Sequence, residues 1–535
     1  MPAEDLFAER RRKVDELAER GVPAYNVDFH PDTSLAGALH QLLDAERQGR
    51  HGTASSIGGP HPGRPSISTE PGSADADHPD EGPAVVIAGR IMRLRLQGRS
   101  CFAHLEDEEA QLQVWFRLDR VGDDGFAVVR LLDLGDIIGV RGRLMRTRRG
   151  EPTVVADELA LLTKALRPPP EKFHGLQDQE TRYRKPYLAL LSSVSARRHF
   201  TARARLIRSV RATLDERGFL EVETPILQPI AGGAAAIPFV THWNALHTDV
   251  YLRIAIELHL KRLLVGGYAR VYELGRVFRN EGLSPRHNPE FTMLEAYQAY
   301  ADYGAMRELC EAIIVAAALA LGPEGAVTVQ DDPLVRIIDG REISLRAPFR
   351  TARMVDLVAE RCHFDPVAAW DEGRLATEAE RLGVATPNGA GPGAILLEIY
   401  EQRVEDDLWD PTFVLDYPAE VTPLARRRHD DPRFVERFEL IAAGRELANA
   451  FSELNDPLDQ RSRFEEQAAL RGAGDAEAHP VDEDFLEALE VGMPPAGGLG
   501  VGIDRLVMLL TGAPAIRDVL LFPTMRPRPP RPGQA

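Results

Sequence analysis

Residues Phe278 to Tyr297 read FRNEGLSPRHNPEFTMLEAY. The runs flanking its centre, ARVYELGRVFR (269–279) and EFTMLEAYQAY (290–300), are rich in β-branched and aromatic residues, while NEGLSPRHNP between them holds two prolines and a glycine. That pattern predicts an antiparallel hairpin with a long polar tip braced by proline. Strand side chains alternate between faces, so Phe291, Met293, Glu295 and Tyr297 share one face of the returning strand. An aromatic plate, an acid and a phenol in a row suit a ligand wall better than a purely structural strand. Arg279, Glu281, Arg286 and His287 crowd the tip, as a loop gripping a polyanion would require. A solvated turn is the plainer alternative.

Two other stretches carry chemistry. RFELIAAGRELANAFSEL (437–454) reads as a second hairpin. With Ala442-Ala443 as its two-residue loop, Ile441 pairs with Gly444 and Glu439 faces Glu446. Two opposed carboxylates repel unless a hard divalent cation lies between them. Asn449, Phe451 and Glu453 share a face by parity, with Ala448 and Ala450 opposite. GGLGVGIDRLVMLL (497–510) is a glycine run that lets backbone approach a ligand, with Arg505 at the start of an apolar helix. Glu257, within YLRIAIELHLKRLLVGG (251–267), reads by itself as a surface or helix-start charge beside Lys261 and Arg262.

A chain of 535 residues is too long for one ordinary core, and 44% hydrophobic with 27% charged residues is globular composition. A net charge of -18 excludes a sequence-blind nucleic-acid coat, so any nucleic-acid contact must use local basic patches. The cysteines, Cys101, Cys310 and Cys362, match no disulfide framework or metal-binding pair, which fits a reducing cytoplasm. Met1 to Arg20 alternates acids and bases without the apolar core of a secretory signal. The most apolar run, AIIVAAALALG from Ala312, is about half the ~20 residues a membrane span needs. A cytoplasmic protein without membrane segments is expected.

Residues 1–48 predict a helical extension, and 49–83, rich in Gly, Ser, Pro, His and Asp, a disordered linker or insertion. Five β-rich runs over 84–165 predict a small five-stranded barrel, an OB-fold being the commonest solution, although the same texture suits a sandwich. A proline-stiffened connector (166–186) leads to a long α+β region, 187–527, with 305–410 mostly helical, and 528–535 forms a disordered tail.

Together these segments resemble class II aminoacyl-tRNA synthetases, specifically the bacterial-type lysyl-tRNA synthetases of subclass IIb. GFLEVETPIL (218–227) resembles motif 1, FRNEGLSPRHNPEFTMLEAY motif 2 and GLGVGIDRLVMLL motif 3, in the family's order; NAFSELNDP is a further signature. The sequence departs from the pattern at Ile237, where members usually carry arginine, and at Trp243, where they usually carry histidine.

The resemblance implies an α+β chain: an N-terminal OB β-barrel that binds the anticodon, then a class II catalytic domain on a six-stranded antiparallel sheet flanked by helices, paired as a homodimer through motif 1. It implies ATP-dependent activation of L-lysine to lysyl-adenylate, then transfer to the 3′ end of tRNA(Lys), with Mg²⁺ as cofactor. Arg279 would bridge substrate carboxylate and α-phosphate. His287 and Arg505 would hold the outer phosphates, and Phe291 and Arg505 would sandwich the adenine. Glu281 would meet the adenine amino group, Asn288 would anchor the nucleotide, and Glu439 and Glu446 would hold Mg²⁺. For lysine, Glu295, Tyr297 and Glu453 would take the ε-ammonium, Glu257 and the Gly233 carbonyl the α-ammonium, and Asn449 the carboxylate. An ammonium entering a closed pocket must be paired, so an acidic pocket argues for lysine over aspartate or asparagine. Arg95, Phe102 and Gln113 would read the anticodon. The alternatives are a divergent paralogue with another lysyl acceptor, or a catalytically weak tRNA-binding regulator.

Overall fold

The computed structural model describes residues 3–48, 82–170, 176, 178–322, 332–387, 389–472 and 480–528. Most of the linker expected over 49–83 and of the tail expected over 528–535 lies outside these residues. The chain forms two units, Met1–Leu176 and Gln177–Ala535.

In the first unit, period-two alternation turns Cys101, Ala103 and Leu105 inward and Phe102 and His104 outward along one strand. Repeated over β1 (Ala84–Gln97), β2 (Ser100–Glu106), β3 (Gln111–Arg117), β4 (Ile137–Arg146) and β5 (Pro152–Thr163), it closes a barrel in the order β1-β2-β3-β5-β4. Closure removes both sheet edges and decides between barrel and sandwich. Leu17, Leu35, Ala38 and Leu42 of the N-terminal helices Ala3–Glu19 and Leu35–Arg47 join the barrel core. A helix between β3 and β4, Leu118–Leu131, was masked in the sequence by Gly122 and Gly125; it kinks at Gly122, whose φ is 72°.

The second unit is built on β6 (Leu220–Glu221), β7 (Arg270–Phe278), β8 (Glu290–Ala299), β9 (Arg350–Arg353), β10 (Thr412–Leu415), β11 (Arg437–Ile441), β12 (Glu446–Ser452) and β13 (Ala496–Gly502). They form one sheet in the order β9-β10-β11-β12-β13-β8-β7-β6. The six strands from β10 to β7 run antiparallel, as expected, and β9 and β6 add a short parallel strand at each edge. Motif 1 contributes only the two residues of β6 to this sheet, because the next N–H in line, that of Thr224, donates to the Glu273 carboxylate at 2.9 Å instead of to the neighbouring strand's backbone.

The two faces of this sheet differ. Helices Val194–Asp215, Tyr303–Leu321 and Ile503–Thr511 bury one of them against Leu294, Ala296, Ala448, Ala450, Leu499 and Val501. The intervening residues of β8, β12 and β13 therefore point the other way, into an open cleft. In β13 those positions are Gly498, Gly500 and Gly502, so the glycine run is an alternation with its bare face on the cleft. The segment 305–410 contains helices Met354–Cys362, Leu375–Leu382 and Pro392–Arg403, together with a two-stranded hairpin at Val335–Ile338 and Arg341–Ser344.

Candidate active site

The cleft encloses a cavity of about 410 Å³ whose two ends are chemically opposite. The basic end comes from the β7–β8 tip, which is folded on itself: Arg279 N–H donates to Pro289 O at 2.9 Å, and Ser284 Oγ accepts from the backbone of Arg286 and His287 at 3.1 and 3.0 Å. Arg279, Glu281, Arg286 and His287 all line the cavity. Arg279 Nε donates to Ile254 O at 3.4 Å, and its guanidinium lies over the Phe291 ring at 5.3 Å. Burial lowers the imidazolium pKa of His287, and Arg505 lowers it further. Asn288 is buried, donates to Glu290 O at 2.6 Å and leaves its Oδ1 without a partner.

At the acidic end, Tyr297 hydroxyl donates to Glu295 Oε2 at 3.2 Å and Ile256 N–H donates to Glu295 Oε1 at 3.0 Å. Glu257 is not a surface charge: it opens the helix Glu257–Val265, is 7% exposed and lines the cavity. Glu453 sits one layer deeper, 1% exposed, with Oε1 lacking any partner. A Cβ at Gly498 would collide with that oxygen and with the Tyr297 ring, so only glycine leaves Glu453 in place. Burial pushes the Glu295 carboxyl up to about 7 and that of Glu453 up to about 8, with neighbouring Glu257 adding to both.

Between the ends, the second hairpin departs from the expected register. Its loop is Ala443-Gly444, with φ of 52° and 63°, and Ala442 and Arg445 exchange backbone hydrogen bonds across it. Such a loop needs positive φ at both central residues, which Ala442-Ala443 supplies poorly. A bulge follows, so Glu439 pairs with Asn449, and Glu446 with Ile441, rather than with each other. Both carboxylates nonetheless line the cavity. Glu439 accepts from Arg437 Nη2 at 2.5 Å, and burial raises its carboxyl to about 7. The Glu446 side chain is 38% exposed because it faces the open cleft, and it accepts from Arg505 Nη1 at 2.9 Å.

Arg437 carries no signal in the sequence that marks it for the site. It also donates to Asn449 Oδ1 at 2.9 Å, which leaves the Asn449 amide nitrogen as the donor available to the cavity. Gly233, with φ of 87°, reaches the wall from the loop before Ile237.

On the barrel, Arg95, Phe102 and Trp115 form a row of cross-strand partners on the outer face. Phe102 and Trp115 stack with centroids 5.3 Å apart and planes inclined by 13°. Gln113, the cross-strand partner of His104, is buried, donates to Glu151 Oε2 at 3.0 Å and accepts from Thr153 at 2.9 Å. Trp115 was also missed in the sequence, although its parity with Gln113 places both on that face.

The chain matches known proteins over both units. Residues 178–526 match the family profile of class II tRNA synthetases (D, K and N), and residues 85–162 that of the OB-fold nucleic acid binding domain. A lysine–tRNA ligase of Moorella thermoacetica is 54% identical over 98% of this chain and 98% of its own length. One from Pelotomaculum thermopropionicum is 51% identical over 98% and 95%, and one from Lysinibacillus sphaericus 51% identical over 86% and 92%.

Proposed function

The chain belongs to the class II tRNA synthetases (D, K and N) and, within them, to the lysine–tRNA ligase family, and from that premise we propose that it joins lysine to tRNA(Lys) in two steps. In the first, an oxygen of the lysine carboxylate bonds to the α-phosphorus of ATP and pyrophosphate leaves. In the second, a terminal ribose hydroxyl of the tRNA takes the lysyl group and AMP is released.

One observation carries the assignment of lysine. Glu257, Glu295 and Tyr297, backed by Glu453 one layer deeper, close one end of a cavity whose other end holds His287 and Arg505, with Arg279 between them. A ligand carrying two ammonium groups at one end, and a polyphosphate at the other, are what this polarity accommodates. The carboxylate nucleophile needs no general base, so the residues act by orientation and charge neutralisation. Arg279 bridges carboxylate and α-phosphate, His287 and Arg505 take the outer phosphates, and Phe291 supports the adenine near Glu281, with Asn288 bracing the nucleotide end. Glu295, Tyr297 and Glu453 take the ε-ammonium. Glu257 and Gly233 hold the α-ammonium, and Asn449 donates to the carboxylate. Pyrophosphate exchange with each amino acid, followed by tRNA charging, tests this: lysine alone supports exchange, and exchange without charging would transfer the activity to another acceptor.

Glu439 and Glu446 fit Mg²⁺. Both are hard oxygen donors facing the cavity, and Glu446 adds to the burial that raises the Glu439 carboxyl, a repulsion that a cation between them would relieve. The ion would supply charge neutralisation at the phosphates. Motif 1 offers a homodimer surface, because Leu220, Ile226 and Leu227 stand 47%, 44% and 49% exposed. No described helix is long and apolar enough to cross a membrane.

Lysine affinity should depend on pH. A bound ammonium requires ionised carboxylates, whereas in the free site burial and the neighbouring Glu257 push the Glu295 carboxyl up to about 7. Lysine therefore displaces a proton from Glu295 below that value, so affinity is full well above pH 7 and falls as pH drops through about 7. Calorimetry in buffers of different ionisation enthalpy would show proton release; a pH-independent affinity would contradict the cluster.

On the barrel, Arg95, Phe102 and Gln113 read the anticodon, with Trp115 extending the stacking platform. Trp115→Ala should weaken tRNA binding by about 1–3 kcal/mol in a filter-binding assay and leave pyrophosphate exchange unchanged.

A further inference from the structure

Lys261 lies wholly inside the protein, one turn into the helix Glu257–Val265. Its Nζ is 2.5 Å from Glu257 Oε1 and 2.5 Å from Glu453 Oε2. Lys261 is thus ion-paired with both carboxylates at once. The Phe451 and Phe485 rings flank the ammonium at 5.4 and 5.9 Å. Lys261 does not line the cavity. A buried ion triad of this kind stabilises a fold no better than well-packed apolar side chains would, so fold stability does not account for it.

What it does account for is the arrangement of the two carboxylates. Glu257 uses Oε1 on Lys261 while lining the cavity, and Glu453 uses Oε2 and keeps Oε1 free against Tyr297. Each carboxylate thus spends one oxygen on Lys261 and retains the other. Once lysine has displaced the proton of Glu295, charge also balances: Glu257, Glu295 and Glu453 against Lys261 and Arg279 leave one net negative charge, and lysine brings one net positive charge.

We propose that Lys261 is a specificity-determining positioning residue, clamping Glu257 to Glu453 and so fixing the separation of the oxygens that read the α- and ε-ammonium groups of lysine. The proposal rests on the lysine assignment of the site. A clamp of fixed span discriminates by chain length, so ornithine, one methylene shorter, cannot engage both carboxylates.

Lys261→Arg tests it in the full-length protein, because arginine keeps the charge but its longer planar fork changes the span. In lysine-dependent pyrophosphate exchange, the lysine KM should rise by about 30-fold while the ATP KM stays within about 2-fold. The lysine-to-ornithine ratio of kcat/KM should fall by about 10-fold or more. An unchanged ratio, or equal rises in both KM values, would overturn the clamp. Should that variant not fold, Lys261→Gln, whose shorter amide cannot span both carboxylates, takes its place and leaves Glu257 and Glu453 intact; the same fall in the ratio is expected, and an unchanged ratio again overturns the clamp. Failure of the unmodified protein to exchange with lysine would instead remove the lysine assignment itself.

Discussion

Alanine in place of Arg279 is expected to slow lysine-dependent pyrophosphate exchange by about 1000-fold at saturating substrates, the upper range for losing one preorganised donor at a reacting centre. The geometry gives the reason. Arg279 leaves the end of β7, is held by Ile254 O and the Phe291 ring, and lines the cavity between the acidic cluster and the basic tip. Lysine carboxylate and ATP α-phosphate repel each other, and a guanidinium fork can bind both and cancel that repulsion where it opposes bond formation. Burial lowers the pKa of Arg279, but a guanidinium starts so far above neutrality that it remains charged. Arg279→Lys should recover only part of the loss, because an ammonium cannot bridge two oxyanions in one plane. A loss confined to KM, or smaller than about 10-fold in kcat, would place Arg279 outside the reacting centre.

The fold was legible where a periodicity was unbroken. Phe291, Met293, Glu295 and Tyr297 alternate without interruption, and their shared face is the cavity wall. Recognition of the motifs gave the six central strands, which period alone could not order. The bulge after the Ala443-Gly444 loop was hidden, because an extra residue shifts every later pairing and leaves no compositional trace. Arg437, Lys261 and Trp115 were hidden for a different reason: each owes its role to partners brought close only by folding. Lys261 came nearest to being readable, since Glu257 and Lys261 stand four apart at the start of a helix. Nothing in that spacing announces Glu453, nearly two hundred residues further along the chain.

Glu453→Gln should raise the lysine KM by about 100-fold or more and leave the ATP KM within about 3-fold; removing one partner of a buried charge pair costs about 2–5 kcal/mol, or about 30- to 4000-fold. The change is nearly isosteric, so the side chain still fits over Gly498 and beside Tyr297. What is lost is the negative charge that a dehydrated ammonium requires, at a carboxylate with one oxygen unpartnered inside the protein. Glu295 and Tyr297 remain, which is why the variant should bind lysine weakly rather than not at all. Lys261 loses a counter-charge too, so the melting temperature must be measured beside the kinetics. A lower melting temperature with a selective rise in the lysine KM fits both roles of Glu453. Equal rises in the lysine and ATP constants would mean that the carboxylate serves the fold through Lys261, and that Glu295 and Tyr297 alone read the ε-ammonium.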